Sequence, residues 1–160
     1  MTRSLRRAVI AVLVIVIVVA VSVGYFVLQP RISNRITIDG VLLNVDLATT
    51  PAEQQQGLSG RATMAQDHGM LFVFQNEEYW SFWMVDMKFP LDMIWFNSNR
   101  QAVFFEQNLP PCGSSFCQVF TPSVRAMYVL EVNAGFVAEH HVSLGDTFTF
   151  VGSTWPWAPG

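Results

Sequence analysis

Apolar positions along this chain come in long and short runs, and the two lengths predict different elements. Ala8 to Leu28 is 21 residues without a charge, rich in Val, Ile and Ala. As a helix it is about 32 Å long, the thickness of a bilayer's hydrocarbon core. In lipid the backbone must pair with itself, so this run is helical despite its β-branched residues. Pro30 ends it, and residues 29–35 form a linker. From Ile36 onward the apolar runs are short, aromatic and cut by turn formers, which is the texture of strands.

Ile36 to Leu43 holds two β-prone arms around Asp39-Gly40, the pair a type I′ hairpin turn wants because both central residues need positive φ. Thr50, Pro51 and Glu53 supply an N-cap, a proline at the first helical position and a capping-box glutamate; Gly57 closes the short helix. Met70 to Phe74 and Phe82 to Val85 read as buried strands with a polar turn, Gln75 to Tyr79, between them. Leu91 to Phe96 and Ala102 to Glu106 follow, joined by a turn at Asn97 to Arg100, which predicts a meander. Gln107 to Ser123, with paired prolines, Gly-Ser-Ser and both cysteines, reads as a long loop. Ala126 to Val132 is again strand, Asn133 to His140 a short capped helix, and Asp146 to Val151 the last strand. The expected fold is mainly β over residues 36–151: a compact antiparallel sandwich or barrel of the jelly-roll kind with two short helices, preceded by one transmembrane helix. Residues 152–160 are a tail.

Charge adds a direction to the long run. Arg3, Arg6 and Arg7 precede it in a basic tail, residues 1–7, while Arg31 and Arg35 follow. The positive-inside rule therefore places the amino terminus in the cytoplasm and the domain outside, as a single-pass signal anchor. The alternative is a secreted domain, cut free near Ala20-Val21-Ser22. From Gln29 onward there are 6 Lys or Arg against 12 Asp or Glu. An acidic domain without a basic cluster is not a nucleic-acid reader. No glycine-rich phosphate loop precedes the helix start, so no nucleotide cofactor is implied.

Asp92 carries the most chemical information. Alternation puts it on one face of its strand with Ile94 and Phe96, and the other face holds Leu91, Met93 and Trp95. Both faces are apolar, so the carboxylate must be paired, protonated or at the rim of a pocket. Arg61 is the natural partner, as the only basic residue between Arg35 and Lys88. The two either form a structural ion pair, or Arg61 holds an anionic ligand that Asp92 orients or deprotonates. Trp83 and Asp86 border the same candidate recess. His68 with Asp67, Asp86 and Asp92 is a possible metal set, but no His-x-x-x-His or Glu-x-x-His spacing supports it, and no metal is expected. Cys112 and Cys117 in an exported loop point to an intraloop disulfide, with zinc shared with His140 and His141 as the rival. The aromatic residues Trp80, Trp83 and Trp95 form either core or a sugar-stacking face. There is no Gly-x-Ser-x-Gly elbow and no nucleophile with a histidine in its motif.

Several segments, in order, resemble one family: GLSGR at Gly57 to Arg61, GMLFVF at Gly69 to Phe74, FWM at Phe82 to Met84, PLD at Pro90 to Asp92, YVLEV at Tyr128 to Val132, Ala134-Gly135 and LGD at Leu144 to Asp146. Together they are similar to domain of unknown function 192, uncharacterised protein family 0127, a widespread prokaryotic family. The resemblance covers about residues 36–151. It implies the β architecture and a tethered or secreted setting, and a cysteine pair in the same loop, but no reaction. Where that family usually has Lys-Asn-Thr after FWM, this chain has Val85-Asp86-Met87. Function is then expected to be binding of a small polar or carbohydrate ligand, or of an envelope protein partner, in a recess bordered by Arg61, Trp83, Asp86 and Asp92. The alternatives are a hydrolase or lyase with Asp92 as general base and Arg61 as anion holder, and a purely structural domain.

Overall fold

The hairpin at Asp39-Gly40 forms as its sequence requires. A computed structural model describes residues 34–113 and 116–152, with Val14 besides. In it β1 (Asn34–Ile38) and β2 (Val41–Ala48) pair antiparallel, and the turn residues take φ of +46° and +79°, the type I′ geometry. The helix α1 (Pro51–Gln56) carries a complete capping box: Glu53 N donates to Thr50 Oγ1, and the Glu53 carboxylate accepts from Thr50 N at 2.9 Å.

The strands that follow depart from a meander. β3 (His68–Glu78) runs parallel to β2 and continues as strand through Gln75 to Glu78, where the sequence predicts a turn, with a shift in its pairing to β8 between Val73 and Glu78. The polar residues there lie at the exposed end of the strand. β4 (Phe82–Trp83) leaves the main sheet to pair with β7 (Val119–Phe120), which lies in the segment read as loop. β5 (Leu91–Phe96) pairs on one side with β6 (Ala102–Leu109) and on the other with β8 (Ala126–Asn133), which also pairs with β3. β8 thus sits between strands that precede it in the chain. The short helix α2 (Phe136–Glu139) and β9 (Phe148–Val151), paired to β1, complete the domain.

The main sheet is a seven-stranded mixed sheet in the order β6-β5-β8-β3-β2-β1-β9, accompanied by the two-stranded β4-β7 sheet. The expected jelly-roll sandwich or closed barrel is therefore corrected. The sheet curls until its edges touch at one corner, where Ala102 N donates to the Asp146 carbonyl at 2.7 Å and Phe148 N to the Arg100 carbonyl at 3.1 Å. The parallel β2–β3 pair, connected through α1, is what breaks the antiparallel pattern.

Each face of the sheet carries its own core. On one face Ile36, Leu43, Ile94, Phe96, Leu130 and Phe148 pack with α2. On the other Met70, Phe72, Met93 and Trp95 pack beneath Leu58, Phe82 and the small sheet. Every residue of β5 is buried, as a central strand covered on both sides must be. The expected tail 1–7, the expected anchor 8–28 apart from Val14, and most of the expected linker 29–35 and tail 152–160 lie outside the described residues; Asn34 and Arg35, expected in the linker, belong to β1. Among the described residues no helix is long and apolar enough to cross a membrane.

Candidate functional site

The second face of the sheet contains a carboxylate where its neighbours are hydrocarbon and sulfur. Glu131 stands on β8 opposite Met70 of β3 and Met93 of β5. It is 4% exposed, and its Oε2 has no hydrogen-bond partner among the described residues. Burial pushes its pKa up from 4.5 to about 8, against a smaller opposing pull from the Arg61 charge. A carboxyl in that position is neutral over most of the physiological range, because desolvation disfavours its charged form.

Above Glu131 lies a recess of about 230 Å³. α1 and the residues after it, Gln54 to Ser59, form one wall, and Phe72, Phe74, Trp80, Phe82 and Trp83, with Ser81 and Met87, form the rest. The rings brace one another: Phe74 stacks on Trp80 at 3.9 Å, and Phe82 meets Phe72 edge-on at 4.8 Å. Trp83, 47% exposed, stands at the mouth. Gly57 keeps the inner end open. It has φ of +50°, and a Cβ there would lie 3.3 Å from Phe72 Cζ and 3.9 Å from Glu131 Oε2. Most polar donors of the wall are already engaged. Gln54 Nε2 donates to the Val73 carbonyl at 2.9 Å, Gln56 Nε2 to Ser59 O at 2.9 Å, Ser59 Oγ to Val85 O at 2.8 Å and Trp80 Nε1 to Asn76 O at 3.2 Å.

The residues singled out from sequence are dispersed. Asp92 lies on the opposite face of the sheet, fully buried, with Oδ1 accepting from Asn108 N at 2.8 Å and Oδ2 from Val137 N at 2.9 Å. α2 has no side-chain cap of its own, so Asp92 supplies one from the sheet. The expected Arg61–Asp92 pair does not form: Arg61 reaches Asp46 at 2.7 Å, and both side chains are largely exposed. That pair borders a second, shallower depression with Asn34, Glu53 and Met70. Asp86 pairs with Lys88 on the surface, and Trp83 alone of the expected set lines the aromatic recess. A general base at Asp92 is therefore not supported, since both of its oxygens are spent on backbone N–H groups. His68 bonds Asp67 at 3.1 Å, and among the described residues no three His, Cys, Asp or Glu side chains gather as a metal site. Cys112 and Cys117 form the expected disulfide, which excludes the zinc reading. Glu131, a lone acid inside the apolar YVLEV segment, carries in the sequence the same signal as Asp92.

The fold defines a mainly β domain on a curled mixed sheet, with a buried acid under an aromatic recess. The chain belongs to the DUF192 family, described as Uncharacterized ACR, whose model matches residues 34–150. Comparison with curated proteins gives no match. Among solved structures, the chain is similar to a protein of unknown function from Novosphingobium aromaticivorans DSM 12444, with TM-score 0.67 and 27% identity, covering 72% of this chain and 83% of that one. It is also similar to a putative transcription regulator from Sinorhizobium meliloti 1021, with TM-score 0.68 and 33% identity, covering 74% of this chain and 93% of that one.

Proposed function

We propose that this protein is a membrane-anchored module whose β domain faces outward and holds a small polar ligand in the recess over Glu131, without chemistry of its own. The observation that carries the reading is the pairing of a buried, unsatisfied carboxyl oxygen with an open aromatic recess. An orphan of that kind costs about 1–3 kcal/mol, a cost that a ligand supplying the missing hydrogen bond removes. The recess serines, Ser59 and Ser81, are bonded to Val85 O and Thr121 Oγ1 and have no histidine beside them in the recess lining, which favours binding over turnover. The uncharged run Ala8 to Leu28, with its arginines ahead of it, supports the anchor and its orientation. The acidic balance of the domain speaks against nucleic acid as partner.

The test is a titration of the full chain with small polar compounds, followed through the indole ¹H–¹⁵N signals. A ligand of this recess moves Trp80 and Trp83 and loses its effect in Trp83→Ala. Shifts confined to residues remote from the recess would refute the assignment. A second reading, an envelope protein partner, is favoured by the exposed apolar side chains of Trp83, Val85 and Val119 beside the mouth. It predicts that Val119→Asp abolishes partner binding while small-ligand shifts persist. Protease treatment of intact cells tests the orientation: the domain is digested if it lies outside and protected if it lies in the cytoplasm.

A further inference from the structure

The recess has a chemical signature narrower than small and polar. A sugar presents several hydroxyls and needs several donors and acceptors around it. Here the side-chain donors of Gln54, Gln56, Ser59 and Trp80 are engaged within the fold, and Ser81 Oγ is shared with Thr121 Oγ1 at 2.7 Å. The volume, about 230 Å³, lies below the roughly 300–1,000 Å³ of sites for drug-sized molecules. The offer to a ligand is one carboxyl and a set of aromatic rings, with only the Gln55 amide and the Trp83 indole N–H besides.

Rings and a carboxylate together select a cation. Aromatic π faces attract positive charge, most strongly at Trp, and an organic ammonium is dehydrated at far lower cost than a metal ion. Glu131 is the only side chain lining the recess that ionises. The nearest opposing charge, Arg61, is held outside by Asp46.

We infer, building on the reading of the recess as a binding site, that its ligand is a small organic monocation, an amine or quaternary ammonium group, with Glu131 as counter-ion and the rings of Phe74, Trp80, Phe82 and Trp83 as its enclosure. Binding a permanent cation stabilises the carboxylate, so the neutral carboxyl gives its proton to solvent as the cation enters: carboxylic acid plus ammonium become an ion pair plus one released proton. No bond other than O–H breaks. The buried acid then has a purpose that a packing role does not give it.

The test is calorimetry of the full chain at neutral pH with tetramethylammonium and choline, and with 3,3-dimethyl-1-butanol as choline's neutral isostere, in phosphate and in MOPS, two buffers that carry no net positive charge. The expected results are at least about tenfold tighter binding of choline than of the isostere, and release of most of one proton, read from the difference between buffers. Glu131→Gln, which keeps the shape, loses this preference and the proton release. Trp83→Ala, at an exposed position, weakens both compounds. Equal binding of choline and its isostere, or choline binding unchanged in Glu131→Gln, overturns the cation assignment. Binding of glucose or glycerol that moves the Trp80 and Trp83 indoles, with no response to either cation, also overturns it while leaving the recess a binding site. Silence of both indoles toward every compound overturns both.

Discussion

Asp92 and Glu131 stand on neighbouring strands one register step apart, Asp92 opposite Val132 and Glu131 opposite Met93, and their carboxyls lie on opposite faces of the sheet. Two buried acids in nearly the same place have opposite states of satisfaction. Asp92 accepts two backbone N–H bonds; Glu131 leaves an oxygen bare. The first is a fixture of the fold, and the second is the acid on which the proposed binding site rests.

Stability should fall with rising pH because of Glu131. Its folded pKa, about 8, lies above its ordinary 4.5, so the folded state binds the extra proton between these values. Unfolding free energy then declines by up to about 1.4 kcal/mol per pH unit through that window, as the unfolded chain ionises and the folded one resists. Arg61 is the one charge found to oppose this. Urea unfolding of Glu131→Gln across the window should show the decline removed; an unchanged slope would place its cause elsewhere.

Asp92→Asn should destabilise without touching ligand binding. An amide offers one acceptor oxygen where two N–H groups, from Asn108 and Val137, require acceptors. One donor is left facing an NH₂, at about 1–3 kcal/mol. The melting temperature should drop while recess titrations keep their midpoint. A binding defect in a folded Asp92→Asn protein would return this residue to the functional site.

Much of the fold is legible from local signals. Asp39-Gly40 and Thr50 to Glu53 specify their turn and cap through bonds within a few residues, and the alternation along Leu91 to Phe96 assigns faces that the structure matches. What is not legible depends on partners distant in the chain. The pairing of β8 between β5 and β3, and the parallel entry of β3, are set by which apolar strands bury one another, and the local pattern is the same for a meander. Elimination among charges matches Arg61 to Asp92, but an exposed arginine pairs with whichever acid the loop brings near, here Asp46. Glu131 is as legible as Asp92, since each is a lone carboxylate in an otherwise apolar run.

Gly69 should be irreplaceable. A Cβ there would lie 2.8 Å from the Glu131 carbonyl oxygen and 3.2 Å from both Leu130 Cδ1 and Val132 Cγ1. Backbone on the next strand cannot yield as a side-chain tip can. Gly69→Ala should cost about 1–3 kcal/mol or more by overpacking, read as a lower urea midpoint. A neutral effect would mean that β3 and β8 are less closely apposed than described.

Reduction of Cys112–Cys117 should loosen one wall of the recess. The bridge closes a short loop, worth roughly 2 kcal/mol in the chain-entropy model. Cys112 N and O bond Met84 O and Asp86 N at 3.0 and 3.1 Å, tying that loop to the segment after Trp83. With reductant, melting should occur several degrees lower, and amide exchange should quicken first around Trp83 and Val119. Uniform quickening would instead mean that the bridge serves the whole domain.

The central claim is that Glu131 is a neutral, unsatisfied acid beneath a cation-accepting recess, and its ¹³C carboxyl resonance reports this directly. In the full chain alone the resonance should titrate near pH 8, and with saturating tetramethylammonium its midpoint should move down toward the ordinary carboxylate range. A midpoint near 4.5 without ligand, or one near 8 that the cation leaves in place, would contradict the account.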